Sequence, residues 1–388
     1  MIDDDGFEQD SFTETTEVGW FSRLSSSLGG LLLGLALSGI CLFGFVWNEG
    51  RAVTTARALA EGSGLVSEAA AGRLDPVNEG RLVHVSGELK TSEPLADPAL
   101  SVVVTAARLE REVETYQWKE TRVTQSATHL GGSQTQTTTY SYERVWARGR
   151  INSEHFHDAS GHANPQPRFH DAEFAAKAPQ LGAFRPGPAT LRALALDDFP
   201  LAPESADALR VRYGDGVRAE DGRLYFGDPA APRIGDARIS YKILPDGAVS
   251  LVGRQTGADV TPYMTAAGKP VLLAERGAVP AQDMFREAEQ QNAILTWGLR
   301  GALMLFLWGG LYLLLRPLVV LADVVPLLGE LVAAGAGVIA GMAALVVGTG
   351  AIAFAWLAYR PAVSALLVIA GLALAWLLRS VARARIRA

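Results

Sequence analysis

Four apolar runs punctuate the chain, one near its start at residues 29–47 and three in its last quarter at 297–315, 331–359 and 361–378. They hold no charged residue except Arg300, one turn into the second run. A hydrocarbon core about 30 Å thick is crossed by roughly 20 residues of helix, and each run is near or above that length. Peptide groups in lipid must be bonded within their own segment, so the runs are predicted to be helices. The pattern predicts a multi-pass α-helical membrane protein with four transmembrane helices. A large β-rich α+β extramembrane domain, residues 48–296, is expected between helices 1 and 2.

Within that domain the pattern changes twice. Residues 49–71 are Ala-rich with Arg51, Arg57 and Glu61, and read as a short amphipathic helix broken by Gly62 and Gly64. From Arg81 onward, short alternating segments predict strands at 82–86, 101–104, 111–123, 137–150, 211–213, 224–226, 237–244, 248–254 and 270–274. Gly131-Gly132 and a run of Thr and Gln mark a solvated hairpin end between the two longest. Pro245-Asp246-Gly247 is a turn signal, so 248–254 is expected to pair back on 237–244. Residues 280–296 become helical again and lead into the second span, with Trp297 at an interfacial position. Residues 316–330 carry Pro317, Asp323, Pro326 and Glu330 and are expected to be an amphipathic interfacial segment. Residues 1–28 read as an acidic, disordered cytoplasmic tail and residues 379–388 as a basic cytoplasmic tail.

Charge sets the expected topology. Arg379, Arg383, Arg385 and Arg387 stand in the last segment without an acid, which places it in the cytoplasm. Four spans then put both termini there and the β-rich domain outside, in the periplasm or a lumen. The first run follows an acidic stretch and ends without an Ala-x-Ala site, so it is read as a retained anchor and not a signal peptide. Gly30 with Gly34, and Gly337 with Gly341, give small-residue faces suited to helix packing.

Composition narrows the chemistry. The net charge of −6 over 388 residues argues against a nucleic-acid surface. The single cysteine, Cys41, lies in the first apolar run, which excludes an internal disulfide and cysteine–metal motifs. Only five lysines occur, beside abundant Arg and Ala, a bias of genomes rich in G and C and hence of a bacterial inner membrane protein. No nucleophile elbow, phosphate loop or His-Glu-x-x-His stretch is present. His155, His157, His162 and His170, with Asp158 and Asp171, could offer imidazole and carboxylate ligands to a divalent ion. The competing reading is a Pro-rich loop with solvated histidines. No catalytic, cofactor-binding or metal residue is assigned, and no cofactor is expected. The apolar runs offer only Ser38, Thr349 and Ser364 besides Arg300, too little for a proton-coupled path.

Asn48-Glu49-Gly50-Arg51 recurs as Asn78-Glu79-Gly80-Arg81. Its Glu and Arg suit an ion pair or a helix cap. These stretches, with Leu82-Val83-His84, Tyr116-Gln117-Trp118, Ile151-Asn152-Ser153, Gly161-His162, Asn164-Pro165, Thr296-Trp297-Gly298-Leu299-Arg300 and Tyr359-Arg360-Pro361, resemble the LUMA (transmembrane protein 43) family in order and spacing. The resemblance implies four spans, cytoplasmic termini, a large lumenal domain and self-association. Eukaryotic members look like endoplasmic reticulum and inner nuclear membrane proteins linked to lamins and emerin, and channel roles have been proposed for them. It brings no active site. A fainter similarity, to the membrane-adjacent domain of mitochondrial RING ubiquitin ligases, comes without the RING cysteines. The function expected is therefore a non-enzymatic membrane scaffold. It would act through self-association and the outer domain, with the lipid bilayer and other membrane proteins as partners. An oligomeric ion channel or channel-associated subunit, and a metal-dependent membrane enzyme using the 155–170 region, are the alternatives.

Overall fold

A computed structural model describes residues 10–361 and residue 369. The run at 361–378 and the basic tail at 379–388 lie almost wholly outside the described residues, as do the first nine. Five α-helices are described: α1 (Trp20–Leu65), α2 (Pro188–Ala193), α3 (Asp207–Tyr213), α4 (Ala281–Ala322) and α5 (Pro326–Tyr359). Among the described residues three of them, α1, α4 and α5, are long and apolar enough to cross a membrane.

Each long helix carries an expected span inside a longer rod. In α1 the run at 29–47 continues without interruption through the Asn48–Arg51 motif to Leu65, where Val66 turns extended. Gly62 does not break it, because the Phe285 ring of α4 occupies the place a side chain would take. In α4 the stalk at 280–296 and the second span are one helix that passes through Pro317. No separate interfacial segment forms at 316–330. Helix α4 runs to Ala322, a short turn follows, and Pro326 opens α5 at a position where its missing N–H costs nothing. Helices α1 and α4 lie antiparallel, with α5 against both.

The disordered tail expected at 1–28 is also revised. Ser11–Val18 is a strand paired antiparallel with 134–141, and α1 begins two residues later. The acidic residues Glu14 and Glu17 alternate with Thr, so the segment can satisfy its backbone on a sheet edge.

Two large sheets and two small two-stranded ones, Leu95–Asp97 with Val102–Val104 and Tyr263–Met264 with Pro270–Val271, make the β-rich part. The first has the order Ser11–Val18, Gln134–Arg148, Arg108–Thr128, Ala237–Leu244, Arg223–Phe226, Val217–Glu220, with Ala172–Ala175 and Asp197–Phe199 paired at its side. The second is built on Leu82–Lys90 against Gly247–Thr256, flanked by Ser67–Ala70, Asp259–Thr261 and Leu273–Arg276. The strand at 247–256 therefore does not return on 237–244. The chain crosses from one sheet to the other at Pro245, and the crossing is covered by Ala107, Leu244, Val249 and Leu251. Residues 211–213, expected as a strand, form the end of α3, which buries Leu209 against the first sheet.

Three cores follow in the β-rich part and at its contact with the helices. Leu109, Val113, Ile239 and Tyr241 fill the first sheet's inner face. Burial, and the Asp97 carboxylate that accepts the Tyr241 hydroxyl, push that phenol well above its ordinary range. Val83, Val85, Leu181 and Phe184 fill the second. Ala58 and Leu59 of α1, with Met284 and Phe285 of α4, pack on Leu82, Val252 and Val271, so the helix pair is anchored directly to the second sheet.

Candidate functional site: a polar junction of three helices

Where α1, α4 and α5 meet, at the edge of the apolar runs, a group of polar residues is buried together. Glu49 is fully buried on α1. Arg300, one turn into the apolar part of α4, donates to both its oxygens at 2.7 and 2.8 Å. Trp356 of α5 donates its indole N–H to Glu49 Oε2 at 2.8 Å. The carboxylate thus ties all three helices at one point. The Arg300 guanidinium also lies over the Trp297 ring, 4.5 Å from its centroid.

One turn along, Asn292, Thr296 and Arg300 recur at i, i+4 and i+8 and share one face of α4. Asn48 Nδ2 donates to the Thr296 carbonyl at 3.1 Å. Arg51 donates to Asn292 Oδ1 at 2.9 Å, Thr296 Oγ1 at 2.9 Å and Asn48 Oδ1 at 3.2 Å. Asn292 Nδ2 returns a bond to the Ala52 carbonyl at 3.1 Å. Gly50 is needed for close approach: a Cβ there would stand 2.8 Å from the Tyr359 ring. Arg57 donates to the Tyr359 carbonyl at 2.9 Å, which fixes the end of α5.

The arrangement consumes its own chemistry. A general base or nucleophile must reach a substrate, whereas Glu49 has no exposed surface and accepts three hydrogen bonds. A buried ion pair of this kind adds little net stability but is costly to break. Its consequence is geometric, since only one register of α1 on α4 satisfies all these groups.

A second set of motif residues converges at the root of the long hairpin. Asn164 acts as a surrogate strand: its Oδ1 accepts the Trp118 N–H at 2.7 Å and its Nδ2 donates to the Trp118 carbonyl at 2.9 Å. Ser153 Oγ accepts the Asn164 N–H at 2.8 Å. His162 is buried, stacked on Tyr142 at 3.7 Å, and its Nε2 lies 2.9 Å from Asp10 Oδ2. His157 sits between Phe12 and Tyr140 at 4.5 and 4.3 Å. His155 and His170 are exposed and apart from this pair. The Gly161 N–H, then the Ser160 hydroxyl, hold the Asp158 carboxyl below its ordinary range. Asp171 is elsewhere, on Arg148 and the Val113 N–H. Among the described residues no group of three or more His, Cys, Asp or Glu side chains is placed to hold a metal ion.

The two copies of Asn-Glu-Gly-Arg do not share a conformation. The first is helical. The second is a turn in which Gly80 takes a positive φ and Glu79 accepts the Gly257 N–H.

The junction therefore gathers three stretches far apart in sequence, residues 48–51, 292–300 and 356–359. A family profile described as Transmembrane protein 43 matches residues 115–361. The human protein named Transmembrane protein 43 is 35% identical over 387 residues, covering 96% of this chain and 94% of its own length. The chain belongs to the transmembrane protein 43 family. The rat protein of that name is 34% identical over 368 residues, covering 92% and 90%. A homologue of Transmembrane protein 43 in Drosophila melanogaster is 31% identical over 355 residues, covering 87% and 92%. No solved structure matches the chain. Membership of the transmembrane protein 43 family, together with three apolar helices, establishes a membrane protein that carries a large β-rich region.

What sequence reasoning missed was the pairing. Glu49 and Arg300 stand 251 residues apart, and the signal that could have joined them is that each is the charge nearest an apolar run. Trp356 gave no signal beyond its composition.

Proposed function

We propose that this transmembrane protein 43 family member is a non-enzymatic membrane scaffold, which organises a bilayer through self-association and its β-rich domain. The observation that carries the reading is the junction: its ionisable groups are spent on joining three membrane helices to one another, next to the apolar cluster that anchors α1 and α4 on the second sheet. A scaffold needs such a joint, because force or register at the outer domain must reach the spans. The relatives are named as membrane proteins, which agrees with the reading. Four spans, cytoplasmic termini and an outward-facing domain complete it, in a bacterial inner membrane or, in a eukaryotic cell, the endoplasmic reticulum and inner nuclear membrane.

The small-residue faces proposed for association are partly used within the chain. Gly34 lies against Gly310 and Leu313 of α4. Gly341 is near Trp308, whose indole donates to the Gly337 carbonyl at 2.9 Å. Contact between chains must then use other surface. The test is light scattering of the full chain in native nanodiscs, corrected for lipid, with labelling of Val211→Cys and Ala384→Cys in intact cells on a Cys41→Ala background. An oligomer with labelling at 211 alone supports the proposal. A strict monomer, or labelling at 384 alone, overturns it.

A further inference from the structure

The long hairpin and Ser11–Val18 form a narrow three-stranded ribbon whose far end meets the far end of the helix pair. Arg23 donates to the Gly132 carbonyl at 2.7 Å and pairs with Asp323. The Gly131 N–H donates to the Val324 carbonyl at 3.0 Å. Trp20 Nε1 donates to the Val320 carbonyl at 2.9 Å, and its ring covers Gly132. At the near end, both ribbon and helices are rooted in the β-rich part. From Trp20 to Trp47 a helix rises about 40 Å, and from Thr128 back to Tyr116 a strand covers about the same. The ribbon therefore runs beside the apolar stretch of α1 and occupies the same slab.

That slab is where open strand edges are forbidden, because lipid cannot satisfy peptide groups. Both edges of the ribbon are open among the described residues. Ser11–Val18 pairs only with 134–141. On the other side, Asn164 closes the edge at Trp118, and 120–128 beyond it has no outer partner. The two open lengths differ by one residue, and eight strand residues extend about 27 Å, near the thickness of a hydrocarbon core. The faces differ as well. One carries Ser11, Thr13, Thr15, Thr135, Thr137, Thr139, Val123 and Ala127, with its only charge, Glu17, at the tip. The other carries Glu14 and Arg122 among Thr16, Thr124, Ser126 and Thr138. At its root Phe12, Tyr140 and Tyr142 lie under His157 and His162, with Glu120 accepting from the Tyr142 hydroxyl and the His157 N–H. Both faces bond hydroxyl to hydroxyl, Thr13 with Thr139 at 3.4 Å on the first and Thr124 with Thr138 at 3.1 Å on the second, and only the second carries charge along its length.

We propose that the ribbon crosses the membrane slab beside the helices, and that its two open edges are closed by neighbouring copies of this chain. Ser11–Val18 of one copy lies along 120–128 of the next, with the faces that carry Glu14 and Arg122 on the same side. This rests on the self-association reading and names its surface. The contact is heterologous, so repetition gives a ring if its rotation closes and an open filament if it does not. A lone copy in lipid would leave both edges unpaired, at a cost far above what three hydrogen bonds and an ion pair at the tip return.

The experiment is disulfide trapping of the full chain in native membranes on a Cys41→Ala background. Thr15→Cys is combined in turn with Val123→Cys, Gln125→Cys and Ala127→Cys, all on the first face. Within one chain these edges are two strand spacings apart, about 9–10 Å, beyond disulfide reach. Mild oxidation should give a reducible ladder of dimers and higher species for at least one pair, and none for any single substitution. Mixed single substitutions should stop at dimers. If no pair gives a ladder while light scattering still finds an oligomer, edge pairing is wrong and self-association stands. If light scattering finds a monomer, both are wrong.

Discussion

The helix pair carries an arginine–carboxylate contact at each end, and the two ends are built differently. At the junction, Glu49 is wholly buried and accepts from an arginine and a tryptophan on two other helices. At the tip, Arg23 and Asp323 each keep about a tenth of their side-chain surface exposed and share the site with one loop carbonyl. Between them the helices touch through Cys41, Phe45, Leu307 and Ala344. The junction fixes register for three helices. The tip contact closes a turn and a hairpin end, and its loss leaves the rest standing.

The comparison is broken most severely at Glu49. Glu49→Ala leaves the Arg300 guanidinium buried without a counter-charge, at an expected cost of about 3–5 kcal/mol. Thermal unfolding in detergent, followed by tryptophan fluorescence, should show a large fall in midpoint. Glu49→Leu combined with Arg300→Leu should recover much of it, since a buried pair replaced by apolar groups is often neutral. An unchanged midpoint for the single substitution would remove the junction's claimed role.

Gly34→Leu tests the stretch between the ends. A Cβ at Gly34 would stand 2.5 Å from the Gly310 carbonyl oxygen and 2.9 Å from Leu313 Cβ. Backbone cannot yield as a side-chain end does, so the expected loss is about 1–3 kcal/mol. Gly341→Leu is the contrast, because its nearest neighbour, Trp308, is 3.5 Å away. A larger loss at 341 than at 34 would show that the α1–α4 contact is not the tight one.

Asp323→Asn reads the tip. It keeps an acceptor for Arg23 and removes the charge, so about 1–2 kcal/mol should be lost locally. Hydrogen exchange should quicken at 129–133 and 320–325 and stay unchanged at 48–52. Quickening at both ends together would mean that the two contacts form one cooperative unit.

How much of this could be read beforehand differs between the ends for a physical reason. The apolar runs and the long alternating strands announce themselves, because one period decides each. The junction was half visible: Asn48–Arg51 and Thr296–Arg300 stood out as residues, yet no local pattern says which distant groups a buried carboxylate will meet. The tip was invisible. Gly131-Gly132 and the Thr–Gln run describe a solvated hairpin end equally well whether it ends in water or on Asp323. Ser11–Val18 looked like a solvated acidic tail because its partner strand lies over a hundred residues away. The turn at Pro245-Asp246-Gly247 reads alike whether the chain returns on itself or crosses to another sheet. At 211–213 the alternation of Val211, Arg212 and Tyr213 mimics a strand, although Leu209 and Tyr213, four residues apart, pack on one core as a helix places them.

The smallest effect lies away from both ends and serves as a baseline for them. Asp171 accepts the Val113 N–H at 2.7 Å and an Arg148 N–H at 2.8 Å. Partial burial by itself would raise its carboxyl, but Arg148 and the Val113 N–H outweigh that and hold it below the ordinary aspartate range. The unfolded chain therefore takes up this proton at a higher pH than the folded one. The contribution is fully present above the ordinary value of about 3.9 and is lost as pH falls through the lowered folded value. With 47% of the side chain exposed, solvent screening keeps it within about 0–1 kcal/mol. Asp171→Asn should lower the β-rich part's midpoint slightly at pH 7, and the gap to wild type should narrow as pH falls below about 3.9 and through the lowered folded value. A gap of equal size at pH 7 and below the folded value would show that the hydrogen-bond geometry matters and the carboxylate charge does not.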